Sequence, residues 1–509
     1  MTVPTVVVRH GRVDVTPLLA EPDVDAVVVP VAPAGDGEGI DPRAGTADLA
    51  ARYGVDLAEL AARTELDAAP GRLRTVQLPK ALGDVDLPWA GLTPRVVLIG
   101  IGAGSPADMR ATGAALAGAV HGLQRVVTTA VAEADAEAIR AFVEGYLLAC
   151  YRHPRTTNRP SGPAPAAELI LLGDVDPEAV AHARRTARAT WLARTLTATP
   201  ASLATPQWLA DRAVQAAADA GCDVEVLGPA ELRDRGFRSI LAVGQGSAAE
   251  PRLVTVRYRP ANPARDSMRV ALVGKGITFD TGGLSIKPRD AMIPMKTDMA
   301  GAAVVLATVL AAAEAGLRHE VIAVLPLAEN AVGANSYRPG DVVRSYGGTT
   351  IEVVNTDAEG RMVLADALEH VDRDLDPDVV VDVATLTGAA TAGLGKVHGA
   401  LLTADDGLAE DLLAAGVRSG EPLWRLPLVE DYRSALDSPI ADVRHVAGDP
   451  TVGAGAITAA LFLQRFAGDR RWAHLDVAGP ARAAAARAEI PEGATGFGVR
   501  VLLDWLAAL

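Results

Sequence analysis

Six short, nearly unbroken apolar runs rich in β-branched residues limit how this chain can fold. They lie at 26–31, 95–101, 253–258, 269–273, 320–326 and 379–383, and each reads as a buried strand. A run that is apolar along its whole length needs cover on both faces, which mostly parallel sheets obtain from helices. Helical stretches near 46–64, 109–123 and 136–151, a short strand at 168–172 and a helix over 177–196 complete the first part. The order predicts an α/β protein with mostly parallel sheets. The glycines at 100 and 102 lack GxGxxG spacing, since Gly104 is offset, so they read as a plain strand-to-helix turn.

A chain of 509 residues exceeds one ordinary core, so two domains are expected. The boundaries read as an N-terminal α/β domain over 1–173, a connecting helix over 174–198 and a larger C-terminal α/β domain over 199–509. The Pro- and Arg-rich stretch 152–167 reads as an exposed crossing. The formal net charge of -15 disfavours nucleic acid and anionic membranes as partners, because phosphate binding needs a basic face. The longest apolar stretch, 299–313, is shorter than the ~18 residues of a spanning helix. The N-terminus lacks the pattern of a signal peptide, and Cys150 and Cys222 match no metal or disulfide spacing. A reducing cytoplasm is the expected setting.

Lysine is rare here. It occurs only at positions 80, 275, 287, 296 and 396, and every other strong base is Arg. Three of the five fall within one short stretch. An amine can lose its proton and serve as ligand or base, whereas a guanidinium does not. The stretch holds Lys275, Asp280, Lys287 and Asp298, and a second cluster reads Asn355-Thr-Asp357-Ala-Glu359-Gly-Arg361. Asp298 precedes the helical run AGAAVVLATVLAAAEAG, where the helix dipole favours a carboxylate. Asp357 and Glu359, two apart, would share a side if the segment were extended.

Singly, a DxE pair reads as a solvated face and Lys-x4-Asp as a surface ion pair. Four carboxylates converging without cations would repel and take up protons. Two divalent ions ~3.5–4 Å apart resolve that conflict. No histidine spacing matches a ligand motif, so such a site is carboxylate-rich with at most an amine nitrogen. Arg361 adds a fixed cation suited to an oxyanion or a carboxylate.

At these residues the chain resembles the leucyl aminopeptidase (cytosol aminopeptidase) family of dinuclear metallopeptidases. The hallmark is NTDAEGR at 355–361, joined by VGKGITFDTGGLSIKP (273–288), MKTDMAGAA (295–303), AEN and SYRPGDV (328–342), DVATLTGA (382–389), AGAITAALFL (454–463), HLDVAGPA (474–481) and GATGFGVR (493–500). The likeness spans 190–509 and is weaker before that. It implies a smaller, macro-domain-like N-terminal domain and a catalytic domain with a mixed, mostly parallel sheet. It further implies that Lys275, Asp280, Asp298 and Glu359 bind one metal and Asp280, Asp357 and Glu359 the other. Lys287 would polarise the scissile carbonyl, and Arg361 would hold a bicarbonate serving as general base. Met295, Asn355, Thr385, Leu386, Gly388, Ala478 and Ala481 would bind substrate, with Leu386 and Gly388 aligning the peptide. Lys296 has no implied role. RTLTATP (194–200) departs from the family pattern at the domain junction, away from these ligands.

The activity so implied is release of amino-terminal residues, Leu preferred, from short peptides with a free N-terminus. The setting would be a cytoplasmic homohexamer carrying two Mn²⁺ or Zn²⁺ per subunit. A DNA-binding role and a narrower dipeptidase, for example for Cys-Gly, are the alternatives; the acidic balance stands against the first.

Overall fold

The computed structural model describes residues 4–9, 19–21, 23–35, 39–153 and 162–509. Part of the crossing read at 152–167 lies outside the described residues. The chain divides into two compact units, residues 1–188 with 485–491, and residues 189–484 with 492–509. The helix Pro177–Ala198 is continuous across the point where the first gives way to the second.

In the first unit a seven-stranded sheet runs in the order Thr5–Arg9, Glu168–Leu172, Arg125–Thr128, Ala26–Pro33, Arg95–Gly100, Leu73–Gln77, with Ile40–Pro42 beside Ala26–Pro33. Only the Leu73–Gln77 and Ile40–Pro42 pairings are antiparallel. The glycine-rich turn after Arg95–Gly100 leads into the helix Pro106–Ala119, which Ser105 caps by accepting from the Asp108 N–H. This is the plain strand-to-helix turn that the glycine spacing predicts.

The second unit holds a nine-stranded mixed sheet. Its order is Asp223–Leu227, Arg252–Tyr258, Glu320–Asn330, Arg269–Gly274, Val379–Ala384, Arg471–Asp476, Gly399–Leu402, Leu423–Arg425, and Gly276–Asp280 also pairs with Glu320–Asn330. The four central strands from Glu320–Asn330 to Arg471–Asp476 are parallel, so their carboxyl ends share one edge. Neighbouring residues point to opposite faces. Val270 and Leu272 join one apolar core with the helices Ala300–Ala315 and Val499–Ala508, whereas Ala271 and Val273 join another with Glu359–His370 and Gly455–Gln464. The sheet is thus covered on both sides, as its apolar strands require.

The run Arg289–Ala315 is long and apolar enough to cross a membrane. Its only continuous helix of any length is Ala300–Ala315, 16 residues, packed in the core. That helix comes unusually close to the sheet. A Cβ on Gly301 would run into the carbonyl oxygen of Val383, so glycine here lets the helix start against the strand ends and brings Asp298 to the same edge.

Candidate active site

Each strand of the parallel set delivers a polar residue as it ends. Lys275 follows Arg269–Gly274, Asn330 ends Glu320–Asn330, Thr385 follows Val379–Ala384, and Asp476 ends Arg471–Asp476. This is the edge at which open α/β sheets bind ligands.

Two lysines organise the carboxylates. Lys275 Nζ lies 2.8 Å from Asp298 Oδ2 and 2.8 Å from Glu359 Oε1, and donates to the Thr385 carbonyl at 3.0 Å. Lys287 Nζ lies 2.8 Å from Asp280 Oδ2 and 2.5 Å from Asp357 Oδ1. One side chain each from Asp280, Asp357 and Glu359 brings oxygens within 4.8 Å of one another. The structure therefore gathers Lys275, Asp280, Lys287, Asp298, Asp357 and Glu359 into one cluster, most of it buried.

Burial works against both ammonium groups, yet the surrounding carboxylates, Asp298 and Glu359 first for Lys275 and Asp280 first for Lys287, hold both lysines above their ordinary range. The carboxylates feel the reverse. Burial, helped by the charge of Asp280, pushes Asp298 up to about 6 and Glu359 well above its usual value, and burial also raises Asp357. Glu359 Oε2 is buried without a hydrogen-bond partner. Buried oxygens that lack donors, beside carboxylates crowded enough to favour protons, fit cationic occupants. The donor set, four carboxylates and one amine, suits divalent ions that accept oxygen and nitrogen.

Local structure adds two details to the sequence reading. Asp357 and Glu359 are not in an extended segment. Thr356–Ala358 is a 3-10 turn, and Glu359 opens the helix Glu359–His370. Asn355 causes this, because its side-chain oxygen accepts from the Asp357 N–H at 2.9 Å and bends the chain. The Asp298 carboxylate does not cap the following helix either. Its partners are Lys275 and the Thr385 hydroxyl, 2.7 Å from Oδ1.

Behind the carboxylates stands a scaffold that motif reading passed over. Asn330 Nδ2 donates to Asp280 Oδ1 at 2.8 Å and to the Thr356 carbonyl at 2.9 Å, and the Tyr337 hydroxyl donates to that carbonyl at 2.9 Å. Asp280 Oδ1 also accepts from Gly282 N–H at 2.8 Å. Thr356 ties the two clusters together, its hydroxyl donating to the Gly282 carbonyl at 2.7 Å and accepting from Ser285 N–H at 2.8 Å. Asn330 and Tyr337 lie in the segments AEN and SYRPGDV, so the signal was present without a role attached.

Arg361 is buried and donates from Nη1 to the His445 carbonyl at 2.5 Å. Burial lowers its pKa to about 10 against the opposing charges of Asp476 and Glu359. The His445 imidazole is held near 4 by burial and by Arg361, so it is a neutral neighbour.

The remaining expected residues occupy different surroundings. Met295 opens the 3-10 turn Met295–Thr297, and Gly388 opens the helix Gly388–Leu394 at an exposed position. The backbone N–H groups of Leu386 and Ala478 both donate to Asp476 Oδ1. Ala481 is 4% exposed and packs in the core with Val499 and Phe497. Lys296 donates to the Ala198 carbonyl at 2.7 Å, a structural contact.

A carboxylate cluster with buried lysines at the carboxyl edge of such a sheet defines a protein with a candidate site for divalent ions. Comparison narrows the class. The family model described as the cytosol aminopeptidase family, catalytic domain, matches residues 191–503, and that for its N-terminal domain matches 28–158. The chain belongs to the cytosol aminopeptidase family. It is 45% identical to the probable cytosol aminopeptidase of Syntrophotalea carbinolica, over 82% of this chain and 86% of the relative. With that of Caulobacter vibrioides it shares 40% identity over 92% and 94%. Among solved structures it is similar to the bottromycin maturation enzyme BotP, with TM-score 0.81 and 39% identity, covering 95% of this chain and 99% of that one. That enzyme is also known in complex with Mn. The family is one of metallo-aminopeptidases acting on peptides.

Proposed function

We propose that this chain is a leucyl aminopeptidase of broad scope, releasing amino-terminal residues from short peptides in the cytoplasm. The observation that carries the reading is the convergence of Lys275, Lys287 and four carboxylates at one sheet edge, with Glu359 Oε2 buried and unpartnered.

Lys275, Asp280, Asp298 and Glu359 would hold one divalent ion, and Asp280, Asp357 and Glu359 the second, with Asp280 and Glu359 shared. Ions so held supply Lewis acidity for the scissile carbonyl and acidify the attacking water. Lys275 must shed its proton to become a ligand, so metal uptake releases protons. Lys287, kept protonated by Asp280 and Asp357, presents a cation to the oxygen on which charge develops. Arg361 stays charged at neutral pH and would hold bicarbonate as the proton acceptor. Met295, Asn355, Thr385, Leu386, Gly388, Ala478 and Ala481 complete the proposed substrate site. The assembly would be a homohexamer using Mn²⁺ or Zn²⁺.

The test is the initial rate of Leu-p-nitroanilide hydrolysis as isolated, after chelation, and after adding back Mn²⁺ or Zn²⁺. Loss and metal-dependent recovery is the expected pattern, while turnover that persists in verified metal-free protein refutes the reading. The likeness to an enzyme of bottromycin maturation supports a second reading, in which one peptide class is favoured. A panel of peptides with varied first residues separates broad from narrow scope.

A further inference from the structure

Asp476 is buried at the end of Arg471–Asp476, paired with Ala384 on the neighbouring strand. Both chains leave the sheet there, one as Thr385-Leu386-Thr387-Gly388 and the other as Val477-Ala478. The Asp476 carboxylate binds both. Oδ1 accepts from the N–H of Leu386 and of Ala478, each at 3.1 Å, and Oδ2 accepts from the Thr387 hydroxyl at 2.6 Å. The Thr387 oxygen in turn accepts from the Ala390 N–H at 3.0 Å, capping the helix that Gly388 opens. At the other end of the same loop, the Thr385 carbonyl accepts from Lys275 and its hydroxyl donates to Asp298.

We propose that Asp476 is the positioning residue for peptide alignment, a buried clamp that fixes the loop 385–388 against the strand carrying Ala478. The inference rests on the aminopeptidase reading, in which those two segments line the substrate. With its N–H committed to Asp476, Leu386 can offer a peptide only its carbonyl oxygen. The loop is therefore held at Thr385 by the metal-site residues and at Leu386 and Thr387 by Asp476, and cannot drift from one without the other. No substrate contact by Asp476 itself is needed. Buried carboxylates that accept several N–H and O–H bonds act this way because removal strands each donor.

The experiment compares wild type with Asp476→Ala, Asp476→Asn and Thr387→Val on leucinamide and on the tripeptide Leu-Gly-Gly. Leucinamide lacks backbone beyond the scissile bond, so it depends least on loop alignment. Asp476→Ala should lower kcat/KM on the tripeptide on the order of 100-fold, the scale of an ångström misplacement, and markedly less on leucinamide. Asp476→Asn keeps an acceptor for both N–H groups and should restore most of the loss. Thr387→Val cuts the hydroxyl link to Asp476 together with the cap on the Ala390 N–H and should cost the tripeptide about tenfold, a loss that can be read even where Asp476→Ala fails to fold. Hydrogen exchange of peptides covering 385–390 and 477–480 should quicken in the Ala variant and not in the Asn variant. Equal losses on both substrates, or unchanged exchange, overturn the proposal. Wild type that cleaves neither substrate refutes the aminopeptidase reading instead, and exchange in the variants still decides whether Asp476 holds the loop.

Discussion

Replacing Gly360 with Ala tests whether Lys275 must sit where it does. Gly360 lies between Glu359 and Arg361 in the first turn of Glu359–His370, with ordinary helical backbone, so glycine is not demanded by conformation. Space demands it. A Cβ built there would be 2.6 Å from Lys275 Cε and 2.8 Å from both Cδ and Nζ. Ordinary contact begins near 3.4 Å, so the lysine would have to retreat by about 0.8 Å. Its Nζ contacts with Asp298 and Glu359, now 2.8 Å, would open to about 3.6 Å, beyond hydrogen bonding. In an exposed helix the same change would stabilise by about 1 kcal/mol, whereas overpacking here costs about 1–3 kcal/mol, so the net is a loss of about 0–2 kcal/mol, spread over a large chain whose melting temperature moves little per kcal/mol. The expected signature is therefore a nearly unchanged melting temperature with loss of one metal per subunit by elemental analysis. The fall in kcat/KM should be on the order of 100-fold. Full metal content and full activity in Gly360→Ala would refute the argument that Lys275 is confined to a ligand position.

Lys287→Met should leave folding and metal content intact and lower kcat by about 10²–10³-fold, the usual effect of removing one charge-stabilising donor; a normal kcat would remove Lys287 from the chemistry. The two cysteines supply a pH prediction. Burial pushes the Cys150 thiol up to about 12, against a lowering influence from Arg152, and burial with the charge of Asp223 pushes Cys222 up to about 11. Both values lie above the ordinary 9.0. The stability these neutral thiols contribute is thus fully present below pH 9 and is lost as pH rises through 11–12. At pH 8 the thiolate fraction of either is roughly 10⁻³ or less. Ellman's reagent should label native protein far more slowly than unfolded protein, and rapid native labelling would show these sites to be open.

The strands were legible because both-face burial leaves an apolar run that needs no partner to be read. Val379–Ala384 and Arg269–Gly274 fall within a residue of their expected limits. The scarcity of lysine made Lys275 and Lys287 stand out, and the structure brings both into the carboxylate cluster. The turn at Asp357–Glu359 is not legible from periodicity, which treats the segment as free chain, while one side-chain bond from Asn355 curls it. Asn330, Tyr337 and Asp476 escaped for a related reason. Each binds at least one backbone group 19 to 90 residues away, and no local pattern records such a partner. Arg194, in the segment that departs from the family pattern, is fully buried and donates from Nε to the Thr495 carbonyl at 2.8 Å, a packing role consistent with its distance in sequence from the carboxylates.

The strand order of the larger sheet also sets how early in synthesis the sheet can be completed. Arg471–Asp476 lies between Val379–Ala384 and Gly399–Leu402, so a late-made strand fills an interior slot. During translation, roughly 5 to 20 s separate Val379 from Asp476 at typical elongation rates. In that interval every carboxylate and lysine of the cluster already exists, yet the sheet has a gap and the loop at Leu386 has no carboxylate to hold it. A nascent chain thus lacks the strand that closes this sheet, and the carboxylate that holds the loop, until Asp476 has been made.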